Sequence, residues 1–140
     1  MKNKSVIITG ASRGIGEAAA RKFAQLGAKV LLCARSSAAI ETIAAEINAA
    51  GGTARALATD VADYDQVQAA IEFAKSEFGS VDILINNAGM LEPVERLEHA
   101  TVDAWDTIID VNVKGVFYGI RAALPIMKTA GGGTIITIGS

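Results

Sequence analysis

An apolar run followed by three closely spaced glycines constrains the fold of this chain more than any other feature. The run Val6-Ile7-Ile8 leads into Thr9-Gly10-Ala11-Ser12-Arg13-Gly14-Ile15-Gly16, after which a helix-like segment begins. Gly10 allows a tight turn out of a strand, Gly14 leaves room for a pyrophosphate, and Gly16 lets helix and strand pack closely. Free N–H groups at the helix start would face the phosphates. The segment therefore predicts a dinucleotide-binding loop between a strand and a helix.

Apolar runs of strand length alternate with segments of helical period along the whole chain. This alternation is typical of a parallel sheet covered by helices on both faces. It predicts five strands, at about residues 6–9, 30–33, 55–58, 83–85 and 134–138. The predicted helices are one from Ile15 to Gly27 with Ala19, Phe23 and Leu26 buried, one with Ile40, Ile43, Ala44 and Ile47 buried, one from the cap Asp63 to Gly79 with Val67, Ala70, Ile71, Ala74 and Phe78 buried, and a long one from about Val102 towards Met127.

A second marker, Asn86-Asn87-Ala88-Gly89, follows the apolar run Ile83-Leu84-Ile85. The expected fold is α/β, a single Rossmann-like, doubly wound domain over residues 1–140 with strand order 3-2-1-4-5. In that order the glycine loop and the second marker both lie at the carboxyl ends of neighbouring strands. Ligands bind at this point of such sheets, so both motifs are expected to line one crevice.

Composition narrows the classes of protein and ligand. The 140 residues suit one domain, and no apolar run approaches the ~18 residues of a membrane span. The net charge is −2 without a cluster of Lys and Arg, so nothing indicates binding to nucleic acid or to a membrane. The apolar segment at the start is too short for a secretory signal, which predicts a cytoplasmic protein. The single Cys33 lacks the neighbours of a metal site and is expected in the core.

The two motifs together resemble those of the short-chain dehydrogenase/reductase family, whose members carry TGxxxGxG after the first strand and NNAG after the fourth. The resemblance extends from Ser5 to Ser140. It implies an oxidoreductase that transfers hydride between a nicotinamide cofactor and a small carbonyl or alcohol substrate. It also implies a homo-oligomer, a dimer or tetramer, with contacts through the long helix.

The resemblance further implies that the cofactor is NADP(H). NAD-binding members carry an acidic residue near the end of the second strand, which binds the ribose hydroxyls, whereas this chain reads Cys33-Ala34-Arg35-Ser36. Arg13 and Arg35 match basic positions of NADP-preferring members, and guanidinium groups pair well with phosphate. The alternative for each arginine is a solvated surface charge.

Two further segments match cofactor positions of the family. Asp60 and Val61, after the third strand, match residues that hold the adenine, and the alternative for Asp60 is a loop or cap residue. Asn86, Ala88 and Gly89 match the loop along the nicotinamide ribose. The implied binding set is Gly10, Ser12, Arg13, Gly14, Ile15, Gly16, Arg35, Asp60, Val61, Asn86, Ala88 and Gly89.

The implied catalytic residues are Asn112 and Ser140. Asn112 matches an asparagine whose helix is locally distorted to hold a water of the proton relay, and the alternative is a helical asparagine that faces solvent. Ser140 matches the serine that hydrogen-bonds the substrate carbonyl. The family acid, a Tyr followed four residues later by a Lys, has no counterpart, since Gln68 follows Tyr64 and Ala122 follows Tyr118 at that spacing.

The remaining polar and aromatic residues predict no second site. His99 is expected at the surface, Lys114 has no evident partner, and Trp105 and Tyr118 are expected to pack the long helix. Because the Tyr-Lys pair is missing, these residues are expected to be the N-terminal portion of an enzyme, inactive in isolation. A dinucleotide-binding or interaction module without chemistry is the alternative. Methyl transfer from a nucleoside cofactor is a third hypothesis, which leaves Asn86-Asn87-Ala88-Gly89 and the two arginines unexplained.

Overall fold

A five-stranded parallel sheet forms the centre of the computed structural model, which describes residues 1–91 and 94–139. The strands lie in the order β3-β2-β1-β4-β5, and every neighbouring pair is parallel. This arrangement confirms the predicted strand order and the Rossmann-like α/β class. The strands are β1 (Ser5–Thr9), β2 (Lys29–Ala34), β3 (Thr53–Ala58), β4 (Ile83–Asn86) and β5 (Thr134–Thr137).

Helices connect the strands and cover both faces of the sheet. They are α1 (Gly14–Gln25), α2 (Ser37–Ala49), α3 (Tyr64–Phe78), α4 (Val102–Ile109) and α5 (Gly115–Thr129), with a short 3₁₀ turn at Leu97–His99. A π-helical stretch, Asp110–Lys114, joins α4 to α5 without a break, and it is called the π segment below. The predicted long helix is therefore present, with one stretch of wider winding. His99 is exposed, as predicted.

The core lies in two layers because the central strands are buried on both faces. Val6 and Ile8 of β1 pack with α1 and α2 on one side, whereas Ile7 packs with α3 and α5 on the other. Cys33 belongs to the second layer, as predicted, and burial raises the pKa of its thiol to about 12. Strands buried on both faces need continuous apolar runs, which is why Val6-Ile7-Ile8 and Ile83-Leu84-Ile85 mark the sheet so clearly.

The residues buried in α2 and α3 are the ones that the helical spacing of apolar residues predicts. At the start of α3, the Asp63 carboxylate accepts hydrogen bonds from the backbone N–H groups of Asp65 and Gln66. The Gln66 side chain donates to the same carboxylate at 2.9 Å, so Asp63 is the predicted cap with a side-chain partner three residues later. These hydrogen bonds, led by the one from the Gln66 side chain, lower the pKa of Asp63. The helix ends at Gly79, whose φ of +86° is the left-handed conformation of a helix stop.

The predicted buried stripe of α1 is wrong by one position. The buried residues are Gly16, Ala20 and Ala24, while Ala19 and Phe23 are only partly buried. Leu26 lies beyond the last helical residue and is 49% exposed. Small residues spaced four apart bring the axis of α1 close to the sheet, so the larger side chains occupy the edge of the contact.

Two expectations for the long helix also require correction. Trp105 is 53% exposed, so it does not pack the long helix as expected. Tyr118 is half-buried, and its ring meets the edge of the Tyr64 ring with 5.4 Å between the centroids. Lys114 has a partner after all, since its Nζ lies 2.6 Å from an Asp110 carboxylate oxygen one turn earlier. The hydrogen bond to Asp110 raises the pKa of Lys114.

Candidate cofactor site

An open cavity of about 620 Å³ lies at the carboxyl ends of the strands, next to the boundary between β1 and β4. This volume is within the range typical of small-molecule sites. The structure brings most of the predicted cofactor residues together around it: Gly10, Ser12, Arg13, Gly14, Ile15, Arg35, Asp60, Val61, Ala88 and Gly89. Residues outside the implied binding set complete the lining, among them Ala34, Ser36, Thr59, Asn87 and Met90.

The glycine loop places the amino end of α1 against this cavity. Gly10 and Gly14 have φ angles of +63° and +58°, a region that L side chains rarely adopt. A Cβ atom on Gly14 would meet no protein atom within 4 Å. Arg13 is the N-cap residue of α1, and its side chain makes no capping hydrogen bond. The first N–H groups of the helix are therefore available to an anion in the cavity.

The end of β2 provides a positively charged and acid-free wall. Ala34 is 8% exposed and lines the cavity at the end of β2. Arg13 and Arg35 are exposed, and neither forms an ion pair with any residue in the described part of the chain. Both guanidinium groups are thus free to pair with a phosphate.

The end of β3 is fixed by local hydrogen bonds. The Asp60 carboxylate accepts from the backbone N–H of Ala62 at 3.0 Å, and the Asp60 N–H donates to the Gln66 side chain at 2.9 Å. Val61 packs against Gly115 of α5, where an added Cβ would lie 2.9 Å from the Val61 Cγ2 atom. Asp60 is therefore a loop-fixing residue that also lines the cavity, so the two interpretations of this residue are compatible.

Asn86 and Gly16 are the two predicted cofactor residues that do not line the cavity. Asn86 is 3% exposed and points towards α5, with its side-chain oxygen in the space that a Cβ on Gly119 would occupy. Gly16 faces Gly10 and the Asn87 side chain. Because side chains alternate along a strand, the end of β4 turns Asn86 into the core, and the next residue, Asn87, lines the cavity instead.

Asn112 does not face solvent, contrary to the alternative expectation of an ordinary helical asparagine. It lies in the π segment, and its side chain accepts a hydrogen bond from the Met90 N–H at 2.9 Å. The same amide donates to the Met90 carbonyl oxygen at 2.8 Å. Asn112 thus holds the backbone of a residue that lines the cavity. Ser140, the other predicted catalytic residue, lies outside the described residues.

The family is decided by a comparison that covers almost the whole chain. A family model described as short chain dehydrogenase matches residues 4–140. The chain belongs to the short-chain dehydrogenase family. Among its relatives, an uncharacterized oxidoreductase of Staphylococcus saprophyticus is 44% identical, and the match covers all of this chain and 56% of the relative. A cyclohexanol dehydrogenase of Acinetobacter is 38% identical over 99% of this chain and 55% of its own length. The chain therefore spans about half the length of these curated relatives.

Solved structures of the same family share the fold closely. An NADP complex of a metagenomic short-chain oxidoreductase has a TM-score of 0.94 and 38% identity, covering all of this chain and 63% of that one. A 3-ketoacyl-ACP reductase from Sinorhizobium meliloti also has a TM-score of 0.94, with 36% identity over 97% of this chain and 53% of its own.

Residues 1–91 and 94–139 contain neither a membrane-spanning helix nor a cluster of metal ligands. None of the helices there has the length and apolar character that crossing a membrane would require. That part of the chain also contains no group of three or more His, Cys, Asp or Glu side chains that could hold a metal ion.

Proposed function

We propose that the protein is an NADP(H)-dependent oxidoreductase that transfers hydride between nicotinamide and a small carbonyl or alcohol substrate. The proposal rests on two features of the cavity lining. Arg13 and Arg35 line the same cavity, and Ala34 stands where NAD-binding members of the family carry an acidic residue. An acidic side chain there would repel a 2′-phosphate, whereas two guanidinium groups attract one. The bound NADP of the similar metagenomic oxidoreductase supports this choice of cofactor.

The cavity has space for a dinucleotide beside the amino end of α1. The open space beside Gly14 leaves room for a pyrophosphate to approach the amino end of α1, where N–H groups and the helix dipole favour negative charge. Asp60 and Val61 would border the adenine, and Ala88 and Gly89 would border the nicotinamide ribose. Each assignment uses a residue that lines the same space.

When bound, the cofactor donates hydride to a carbonyl carbon or accepts it from an alcohol. The chain's own residues would bind and orient the cofactor in the cavity. Asn112 fixes the backbone of Met90, which holds the loop in one position. Ser140 would donate a hydrogen bond to the substrate oxygen and so favour charge at that atom. The names of two relatives, a cyclohexanol dehydrogenase and a 3-ketoacyl-ACP reductase, support a hydroxyl or ketone group in the substrate.

Arg35→Ala tests the proposed cofactor. We expect the wild-type protein to bind NADPH more tightly than NADH in fluorescence titrations of the full-length protein. The variant should bind NADPH roughly ten- to a hundredfold more weakly, since one charge-assisted contact of ~1.5 to 3 kcal/mol is lost. NADH binding should change little. Lys22→Ala, which removes an exposed cation in the last turn of α1, is the control. Equal wild-type affinities for the two cofactors would contradict the proposal.

We also propose that the protein is a homo-oligomer, a dimer or tetramer, with contacts through the long helix. Large apolar side chains are exposed along α4, the π segment and α5, namely Val102, Trp105, Val113, Phe117 and Leu124. Exposed apolar surface of this kind is typical of association sites. Phe117→Asp is expected to reduce the molar mass measured by light scattering to that of a monomer. Ala45→Asp, on the opposite face of the sheet, should leave the mass unchanged, and a monomeric wild-type protein would refute the proposal.

A further inference from the structure

The turn between β3 and α3, residues 59–63, forms part of the cavity wall and is bridged by one side chain of α3, that of Gln66. We propose that Gln66 is a positioning residue for the adenine end of the cofactor, and that this role requires an amide. The inference rests on the proposed binding of NADP(H). It assigns a role to a residue that does not itself line the cavity.

The amide of Gln66 binds two partners at once. Its oxygen accepts a hydrogen bond from the Asp60 N–H at 2.9 Å, and its nitrogen donates to the Asp63 carboxylate at 2.9 Å. One orientation of the amide satisfies both partners, because the reverse orientation would place N–H against N–H and oxygen against oxygen. Gln66 thereby connects Asp60, near the start of the turn, to Asp63, the N-cap residue of α3.

Further contacts of the turn complete this bridge. The Asp63 N–H donates to the Asp60 carbonyl oxygen at 3.1 Å, and the Asp60 carboxylate accepts from the Ala62 N–H at 3.0 Å. Val61 is buried, and its side chain packs against Gly115 of α5. The turn is therefore held by α3 through Gln66 and rests on α5 through Val61.

The position of the turn matters because Thr59, Asp60 and Val61 all line the cavity. A wall that is fixed before the ligand arrives loses little freedom on binding, and such preorganisation increases affinity. Loss of the Gln66 amide should therefore weaken the binding of the adenine end of the cofactor. The nicotinamide end, which the loop after β4 borders, should be affected much less.

Carboxylates are the charged groups closest to Gln66 along the chain. The titratable side chains between positions 59 and 66 are Asp60, Asp63, Tyr64 and Asp65. Hydrogen bonds from the side chain and the backbone of Gln66 lower the pKa of Asp63, so its carboxylate is ionised at neutral pH. From α5, Arg121 lies over the Tyr64 ring, 4.8 Å from the ring centroid. A side chain at position 66 must therefore face a carboxylate without adding negative charge.

Glutamate at position 66 would satisfy one half of the bridge only. It could still accept from the Asp60 N–H, but as an anion it would repel the Asp63 carboxylate. At lower pH two neighbouring carboxylates can share one proton, which restores a hydrogen bond between them and leaves an oxygen free for the Asp60 N–H. Gln66→Glu should therefore be impaired at neutral pH and recover in acid.

Gln66→Ala tests the role in the full-length protein, with 2′,5′-ADP as the probe of the adenine end. We expect its dissociation constant to rise about three- to tenfold, as loss of one hydrogen bond implies, and that of NADPH to rise by the same factor. Hydrogen exchange of the Asp60 amide should accelerate by at least about threefold. A loss of NADPH affinity without a loss of 2′,5′-ADP affinity would overturn the proposal, because the effect would then lie away from the adenine.

Gln66→Glu distinguishes the amide bridge from a general effect on α3. At about pH 8 this variant should bind 2′,5′-ADP about tenfold more weakly than the wild type. Near about pH 5 the difference from the wild type at the same pH should shrink to less than about threefold, because a shared proton restores both hydrogen bonds. A deficit that stays constant across this range would contradict the requirement for an amide.

Gln68 provides the matched controls. It is an exposed glutamine of the same helix, and its amide donates to the Glu72 carboxylate at 3.0 Å, one turn later. Gln68→Ala and Gln68→Glu should leave both affinities and the Asp60 amide unchanged at each pH, and losses equal to those of the Gln66 variants would refute the proposal. If the wild-type protein bound neither 2′,5′-ADP nor NADPH, the proposed function would fail, whereas faster exchange of the Asp60 amide in Gln66→Ala would still support the bridge.

Discussion

Gly14→Val is expected to abolish measurable NADPH binding while the protein remains folded. A Cβ at position 14 meets no protein atom, so the added side chain would extend into the space that the structure leaves for a ligand. We expect the dissociation constant to rise by about a hundredfold or more, which corresponds to about 2.7 kcal/mol. Titration by fluorescence or calorimetry measures the affinity, and circular dichroism reports whether the sheet and helices persist.

Strain is the competing explanation for such a loss, and the chain provides a control for it. Gly14 has a φ of +58°, so valine there also costs backbone energy of about 1 to 3 kcal/mol. Gly51, at the end of α2, has a φ of +86° and equally open surroundings, but it does not line the cavity. Gly51→Val should lower the melting temperature to a similar degree and leave NADPH affinity intact. A folded Gly14→Val protein with unchanged affinity would show that the loop does not hold a dinucleotide.

The sheet and the buried stripes of α2 and α3 could be predicted because their signals are local. Strands buried on both faces need unbroken apolar runs, and the buried stripe of α3 follows a strict helical spacing between a cap at Asp63 and a stop at Gly79. In α1 the spacing of hydrophobic residues was misleading, because it favours Phe23 and Leu26 over the smaller Gly16, Ala20 and Ala24. Close helix packing selects for small side chains, which hydrophobic periodicity ranks low.

The arrangement of the site was harder to predict, because it depends on contacts between segments that are distant in sequence. Thr9 and Asn87 are far apart in sequence, and only the neighbouring positions of β1 and β4 bring their side chains together. Asn86 and Asn87 are identical neighbours in the sequence. Only the geometry at the end of β4 determines which of the two side chains faces the core. The exact extent of the π segment has no simple sequence signal either, although a local distortion at Asn112 was expected from the family resemblance.

The second prediction with a large expected effect concerns the choice between NADPH and NADH, and it changes two residues at the end of β2. Ala34→Asp combined with Arg35→Ala is expected to reverse the preference from NADPH to NADH. The new carboxylate would lie in the cavity wall, where it would repel a 2′-phosphate and accept hydrogen bonds from the two ribose hydroxyls of NADH. Loss of the guanidinium removes the attraction at the same position. We expect the ratio of the two dissociation constants to change by about a thousandfold, the sum of two effects of roughly 2 kcal/mol each.

Two further variants separate the charge of the new side chain from its size. Ala34 is 8% exposed, so any larger residue there could disturb the end of β2. Ala34→Asn has the same size as Ala34→Asp without the charge, and it should weaken both cofactors to a similar extent. Raising the salt concentration should reduce the discrimination shown by Ala34→Asp, because exposed charges are screened. If Ala34→Asn shifted the preference as far as Ala34→Asp, the discrimination would arise from shape, and the arginines would lose their role as the basis of cofactor choice.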